Sequence, residues 1–498
     1  MKTILLMLLV AVRSLWGAAG EVRPNVVWIV VEDMSADFSC YLDVGVKTPA
    51  VDRLAAEGTK FVRAYVTAPI CSICRSALIT GRYQTSIGAQ HHRSSVPGHR
   101  IQLPAGVRLV PELMREAGYH ANNLNLEAFL REGKAGQSVK VAKTDYNFEW
   151  DEKSAYDEGH WAARAEGKPF FVQVQLNGGK NRGQAPGPAW PERVRKELGS
   201  VTDPASVKLP AWLPDDPVIR ADWAQYLDTV RMTDHEVGRV VARLREAGEL
   251  DRTVIFFMTD HGVSHVRNKQ FLYDGGVHVP LVVRGPGVAA GRVRDDVVEH
   301  IDLAACTLAL AGLAVPGAMH GRNILAEGYE PRRYVFAARD RADETEDLIR
   351  SVRDRRWKYI RNGFPNRPYL QPNRYKDEKA IVQAMRRLHA EGKLSAEQSL
   401  IMAAERPVEE LYDCEADPDE LRNLAGEPGS AAVLDGMRRV LRDWQVRTGD
   451  PAEVETEEVY RLETSAQHPE GGKNQAGEIY RRNVETMLRW RRERPLVK

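Results

Sequence analysis

Asn25-Val26-Val27-Trp28-Ile29-Val30-Val31 is a short, nearly continuous apolar run, and Glu32-Asp33 end it at once. β-branched residues without polar alternation read as a strand buried on both faces. Thr253-Val254-Ile255-Phe256-Phe257-Met258 is a second such run, followed by Asp260 and His261. Residues 169–176, 280–283 and 334–338 are further strand candidates. Helical patterns lie between them. Over residues 219–247, Tyr226, Leu227, Val230, Val237, Val240, Val241 and Leu244 share one face, and Gly248 follows as a cap. Residues 107–117 end similarly at Gly118. Strands alternating with helices predict an α/β fold, a large, mainly parallel mixed sheet sandwiched by helices. In such sheets ligands bind beyond the carboxyl ends of the strands. Both acidic pairs would then share one edge.

The rest of the chain bounds the possibilities. At roughly 150 residues per domain, 498 residues allow about three domains, or one large α/β domain with a small companion. Hydrophobic residues at 43% and charged residues at 28% give a large core and exclude disorder. Lys+Arg total 70 against 69 Asp+Glu, so no basic field for nucleic acid or an anionic membrane is present. Five cysteines exclude a disulfide scaffold, and their odd number leaves at least one thiol unpaired. No run of about 20 apolar residues follows the first 20 positions, so no membrane insertion is expected.

Residues 1–20 read as an export signal, with Lys2, an apolar stretch over residues 4–12 and the small residues Gly17-Ala18-Ala19-Gly20, although Arg13 interrupts the pattern. A catalytic unit is expected over 21–330. A smaller unit with a small antiparallel sheet is expected over 331–450, where residues 352–360 read as one half-exposed strand and residues 374–410 as helix-prone. Residues 451–498 read as a polar surface tail.

The sharpest local pattern is Pro69-Ile70-Cys71-Ser72-Ile73-Cys74-Arg75-Ser76-Ala77-Leu78-Ile79-Thr80-Gly81-Arg82. Residues 74–80 suit a short helix stopped by Gly81. Cys71 would sit near its N-terminus, where free N–H groups favour an anion. A Cys-x-x-Cys redox pair or buried inert thiols are the plainer readings. A structural zinc site would need a second pair, and Cys40, Cys306 and Cys414 are scattered singly.

This segment resembles the signature of the sulfatase family: Cys, then x-Pro-x-Arg, then Leu-x-Thr-Gly. In that family the cysteine is oxidised to formylglycine, whose hydrate is the nucleophile. The resemblance puts Cys71 at that position and Arg75 at the motif arginine. Ile73 stands in place of the proline read by the modifying enzyme. Val31-Glu32-Asp33 is similar to the family's first strand with two acidic calcium ligands, and Thr259-Asp260-His261-Gly262 to the second pair. One calcium ion held by Glu32, Asp33, Asp260, His261 and the converted Cys71 is implied, with Arg75 helping to hold the hydrate at position 71; carboxylates suit calcium better than zinc.

Lys269 before Tyr273-Asp274-Gly275-Gly276-Val277-His278-Val279-Pro280 looks like one sulfate-binding lysine of the family, and Lys143 like the other. Asp145 stands where the family has a companion histidine. The histidine expected after the strand at 170–176 is also missing: the chain reads Asn177-Gly178-Gly179-Lys180-Asn181-Arg182. Lys180, His91 or His92 are therefore the candidate proton donors. The resemblance spans roughly residues 24–425 and reaches Ala338-Arg339-Asp340-Arg341, Arg356-Trp357-Lys358-Tyr359-Ile360 and Glu410-Leu411-Tyr412-Asp413. In style it is nearest to bacterial sulfatases near the N-sulfoglucosamine sulfohydrolase branch.

The resemblance implies an alkaline-phosphatase-like fold with a smaller C-terminal α+β subdomain. It implies an exported, periplasmic or secreted, calcium-dependent sulfatase acting on a sulfated carbohydrate after conversion by a formylglycine-generating or other sulfatase-maturing enzyme. Two other readings stand beside it: a phosphodiesterase or phosphonate hydrolase on the same fold, and a non-catalytic sulfoglycan-binding homologue that keeps the thiol.

Overall fold

The computed structural model describes residues 23–183, 185–467 and 475–497. The export segment expected at 1–20 lies outside the described residues. The large sheet is built from β1 (Asn25–Val31), β2 (Thr59–Tyr65), β3 (His120–Asn125), β4 (Phe170–Leu176), β5 (Thr253–Thr259), β6 (His278–Arg284), β7 (Arg292–Arg294) and β8 (Val298–Glu299). Their order is β3-β4-β1-β5-β6-β2-β7, with β8 also on β2. β6 runs against both its neighbours, and the other pairings are parallel. The fold is therefore the mixed, mainly parallel α/β arrangement expected.

β1, β4 and β5 are buried along their whole length, as their uninterrupted apolar sequences require. Trp28 at the middle of β1 packs edge-on against Phe171, 5.0 Å between centroids, and its Nε1 donates to Thr307 Oγ1 at 2.9 Å. The register matters most for function. Val31 stands opposite both Leu176 and Thr259, so the segments leaving β1, β4 and β5 start at one level. The Glu32 N–H bonds the Leu176 carbonyl at 3.1 Å, and the Asp260 N–H bonds the Val31 carbonyl at 2.8 Å.

The long helix predicted over 219–247 is Pro217–Glu246, opened by the Asp216 carboxylate on the Val218 N–H. The helix predicted at 107–117 is Val110–Glu116. The second sheet is antiparallel, order β12-β11-β10-β9, from β9 (Val335–Arg339), β10 (Ile349–Arg353), β11 (Trp357–Asn362) and β12 (Glu409–Asp413). One expectation is corrected here. Residues 352–360 are not one strand but the turn of a hairpin between β10 and β11. Asp354 Oδ1 accepts from the N–H groups of Arg356, at 2.9 Å, and Trp357, at 2.7 Å, and this local closure outweighs continued extension.

Residues 374–410 supply the helices Arg374–Asp377, Ala380–Ala390 and Ala396–Ser399 before β12. The tail is less purely superficial than its composition suggests. Its helices Glu457–Gln467 and Gln475–Glu493 bury Tyr460, Met487, Leu488 and Trp490 together. Glu455 and Glu463 of the tail hold the buried Arg341 guanidinium.

Candidate active site

Five segments converge on one edge of the large sheet. β1 delivers Glu32 and Asp33, and β5 delivers Asp260 and His261. β4 delivers Lys180, the helix Cys71–Thr80 after β2 delivers Cys71 and Arg75, and the segment before β6 delivers Lys269. The turn after β4 lies directly on the first acidic pair. A Cβ on Gly179 would sit 2.1 Å from the Asp33 carbonyl oxygen, and one on Gly178, where φ is +47°, would sit 2.3 Å from that of Glu32. Only glycine permits this approach, and it brings Lys180 inward.

Cys71 opens its helix and is buried, and Gly81 ends the helix with φ 64°, as the sequence predicted. Its Sγ lies 3.2 Å from His261 Nε2, 3.2 Å from Lys269 Nζ, 3.7 Å from Lys180 Nζ and 3.9 Å from Asp33 Oδ1. Arg75, one turn on, reaches Asp260 Oδ2 at 3.2 Å and Glu32 Oε1 at 3.5 Å. Lys143 meets Glu32 Oε1 at 3.0 Å and Asp145 Oδ2 at 3.0 Å, and Lys180 also pairs with Glu32. Lys269 Nζ donates to Asp33 Oδ1 at 2.9 Å.

Two residues outside the sequence expectations complete the ring. Tyr375 donates its hydroxyl to Asp33 Oδ2 at 2.9 Å, and the Lys269 ammonium lies 4.7 Å from the centre of its ring. Gln175 accepts from Arg75 at 2.6 Å and donates to Asn123 at 2.8 Å, while Asn123 donates to the Lys143 carbonyl at 3.2 Å. The chain Arg75–Gln175–Asn123 thus fixes the backbone that carries Lys143. A glutamine inside the apolar β4 run was the available sequence signal. Tyr375 offered none.

The electrostatics follow from burial among mixed charges. Burial pushes the Cys71 thiol up, but Lys180, Lys269 and Lys143 outweigh it and bring it down to about 6. Burial likewise opposes ionisation of Asp33, yet Lys269, Lys180 and His261 hold it well below the usual carboxylate range. Lys269 is held well above its ordinary value, because Asp33 and Cys71 more than offset its burial. Among the described residues, Asp33, Cys71 and His261 offer ligand atoms within 4.8 Å of one another. His261 Nδ1 is bonded to the Gly262 carbonyl at 2.9 Å, which leaves Nε2 facing Asp33 Oδ1 at 3.4 Å and Asp260 Oδ1 at 3.5 Å. Two carboxylate oxygens within 3.5 Å of an imidazole nitrogen are a donor set that fits a divalent cation.

His91 and His92 sit behind this ring. His92 Nδ1 bonds Ser72 Oγ at 2.7 Å and its Nε2 faces Asp343 at 3.4 Å. His91 faces Glu455 at 3.8 Å. Burial keeps both neutral, His91 down to about 4. The structure therefore gathers Glu32, Asp33, Cys71, Arg75, Lys143, Lys180, Asp260, His261 and Lys269, and directs the bonds of both histidines elsewhere.

A family model described as Sulfatase matches residues 24–313. An ulvan-active sulfatase of Formosa agariphila is 32% identical over 479 residues, spanning 88% of this chain and 77% of that protein. The human N-sulphoglucosamine sulphohydrolase is 26% identical over 475 residues, spanning 86% and 91%. A structure solved in complex with its substrate, D-glucosamine-2-N,6-O-disulfate, superposes with a TM-score of 0.56 at 17% identity, covering 87% of this chain and 100% of that one. That likeness speaks to the fold alone, which is the alkaline-phosphatase-like one.

In the chain as translated, alkylation of Cys71 should rise through a midpoint near pH 6. Removing a cation favours the neutral thiol, so Lys180→Ala should move that midpoint up by about 1–3 units. Alkylation rates across pH check it, and an unmoved midpoint means Lys180 does not face the thiol. Gly179→Ala must push the turn off Asp33 and should lower turnover of a sulfate ester by about 10²-fold. Steady-state kinetics within about twofold of wild type would show the turn is free to move.

Proposed function

The chain belongs to the sulfatase family and is a sulfuric ester hydrolase, and on that premise we propose that it removes sulfate from a sulfated carbohydrate with the help of calcium and of a formylglycine made from Cys71. The observation that carries this reading is the ring of Arg75, Lys143, Lys180 and Lys269 closed around Cys71 at the mouth of Glu32, Asp33, Asp260 and His261. The names of the relatives, which act on ulvan and on N-sulphoglucosamine, support a carbohydrate. The leader-like sequence at 1–20 supports export.

Glu32, Asp33, Asp260 and His261 would hold the calcium ion, which supplies fixed positive charge beside position 71. Formylglycine there supplies, as its hydrate, an oxygen nucleophile for sulfur and a second hydroxyl for releasing sulfate. The chain's own residues do the rest. Lys269 and Lys143 neutralise the sulfate oxygens, whose charge grows as the ester bond breaks. Arg75, anchored by Asp260 and Gln175, fixes the first turn of the Cys71 helix against the acidic pairs. The Lys180 ammonium carries a proton at Nζ, 3.7 Å from Cys71 Sγ, and would give it to the leaving oxygen. Tyr375 orients the Asp33 carboxylate so that Oδ1 faces the pocket.

Ile73, where the family pattern has proline, favours one second reading: a sulfoglycan-binding homologue in which Cys71 stays a thiol. Incubating natively matured protein with a panel of defined sulfated sugars, beside phosphate esters, tests the proposal. Sulfate release is expected. Binding without release favours the homologue, and preferred phosphate ester hydrolysis overturns the substrate class.

Cys71→Ala should abolish release with the melting transition intact, and Lys269→Ala should cost about 2–4 kcal/mol in transition-state stabilisation, read from kcat/KM. A Cys71→Ala protein that still turns over places the nucleophile elsewhere. Tyr375→Phe should weaken calcium binding by about 10–100-fold, measured by calorimetry on the apoprotein. Unchanged affinity would mean the tyrosine only fills space.

A further inference from the structure

The small sheet has two working faces. One packs on the large unit, where Arg353 and Lys358 pair with Asp274, and Glu410 accepts the Tyr273 hydroxyl at 2.8 Å. The other carries Val352, Tyr359 and Leu411 beneath the helix Ala431–Thr448, through Leu434, Leu441 and Trp444. At one end of this second face the helix does not close onto the sheet. A cavity of about 800 Å3 opens there between sheet, helix and the segment at Leu496 and Val497.

Four arginines line it: Arg350 on β10, Arg361 on β11, and Arg438 and Arg442 one turn apart on the helix. Arg361 stands directly opposite Arg350 across the ladder, with Glu409 on its other side. Arg350 is buried and neutralised by Asp340 at 3.1 Å and Asp450 at 2.6 Å. Arg438 is paired with Glu409 and Asp435. Among the described residues, neither Arg361 nor Arg442 forms an ion pair with a carboxylate. Arg361 is half-buried and Arg442 exposed. The exposed Glu453 is the opposing charge on the rim.

Glu409 faces Arg361 across the ladder but is held by Arg438, so an anion between the strand and the helix would meet the Arg361 and Arg442 guanidinium groups with no carboxylate of the described residues in ion-pair distance of either. The planar guanidinium fork matches sulfate and carboxylate oxygens two at a time. Leu441 and Leu496 add apolar wall beside it, suited to the C–H face of a sugar ring. No residue of this cavity belongs to the Cys71 pocket, and the cavity opens on the sheet face turned away from Asp274.

We propose that this cleft is a second, non-catalytic site that binds sulfate or carboxylate groups of an anionic polysaccharide. It rests on the reading of the substrate as a sulfated carbohydrate. The polymer would be gripped through Arg361 and Arg442 while another of its residues occupies the Cys71 pocket.

Affinity electrophoresis of the full-length Cys71→Ala chain, which leaves the polymer unchanged, tests this in gels containing ulvan, desulfated ulvan or neutral dextran. Retardation by ulvan and not by dextran is expected. Retention by desulfated ulvan as well assigns the cleft to carboxylate, and its loss assigns it to sulfate. Adding Arg361→Gln and Arg442→Gln should weaken ulvan binding by about tenfold or more, since each removes charge-assisted hydrogen bonds. Arg442→Gln alone, at an exposed position, should lose part of it, which guards against misfolding of the double variant. Glu453→Gln should tighten binding. Equal retardation with and without the two arginines, or equal retardation by dextran, overturns the site. A wild-type chain that releases sulfate from a small sugar while the arginine variants bind ulvan unchanged leaves the hydrolase standing and removes only this cleft.

Discussion

Glu32, Asp33 and Asp260 are buried together and repel one another, and they stay there because Arg75, Lys143, Lys180 and Lys269 stand among them. Removing one member of such a buried set leaves an uncompensated charge, at a cost of about 3–5 kcal/mol. The arrangement also explains the acidity of Cys71, which shares the same ammonium groups. On the function proposed, the pocket's acids and bases are matched to two visitors of opposite sign: a cation takes the carboxylates and a sulfate takes the ammoniums, so each releases partners for the other.

This compensation depends on backbone register more than on side-chain reach. The level alignment of Val31, Leu176 and Thr259 puts both acidic pairs and the Lys180 turn at one height. The glycine pair at 178 and 179 then lets that turn rest on Glu32 and Asp33. Asp33 itself takes φ 53°, a conformation L-residues seldom adopt, and its N–H bonds Asp260 Oδ1 at 3.1 Å. Local strain is tolerated there because the neighbouring strands over-determine the position.

The strands that carry the acids were legible because a strand buried on both faces has no polar alternation to confuse it. The Cys71 helix was legible from its stop at Gly81. Lys143 and Lys269 were legible only through family resemblance, since a lysine in a loop has no periodicity. β3 escaped notice because His120-Ala121-Asn122-Asn123-Leu124-Asn125 is polar. Its asparagines bond loop carbonyls, Asn122 to those of Asp157 and Gly159 and Asn123 to those of Ala142 and Lys143. The hairpin at residues 352–360 was missed because one aspartate closes it. Tyr375 could not be read at all: it reaches Asp33 from 342 residues away, in a short helix without a motif.

The mass of the peptide spanning position 71, in protein matured in its native host, bears most directly on how this pocket works. Hydrolysis as proposed predicts an aldehyde in place of the CH2–SH group, confirmed by reaction with a hydrazide. An intact thiol at that position in protein that nevertheless releases sulfate would contradict it.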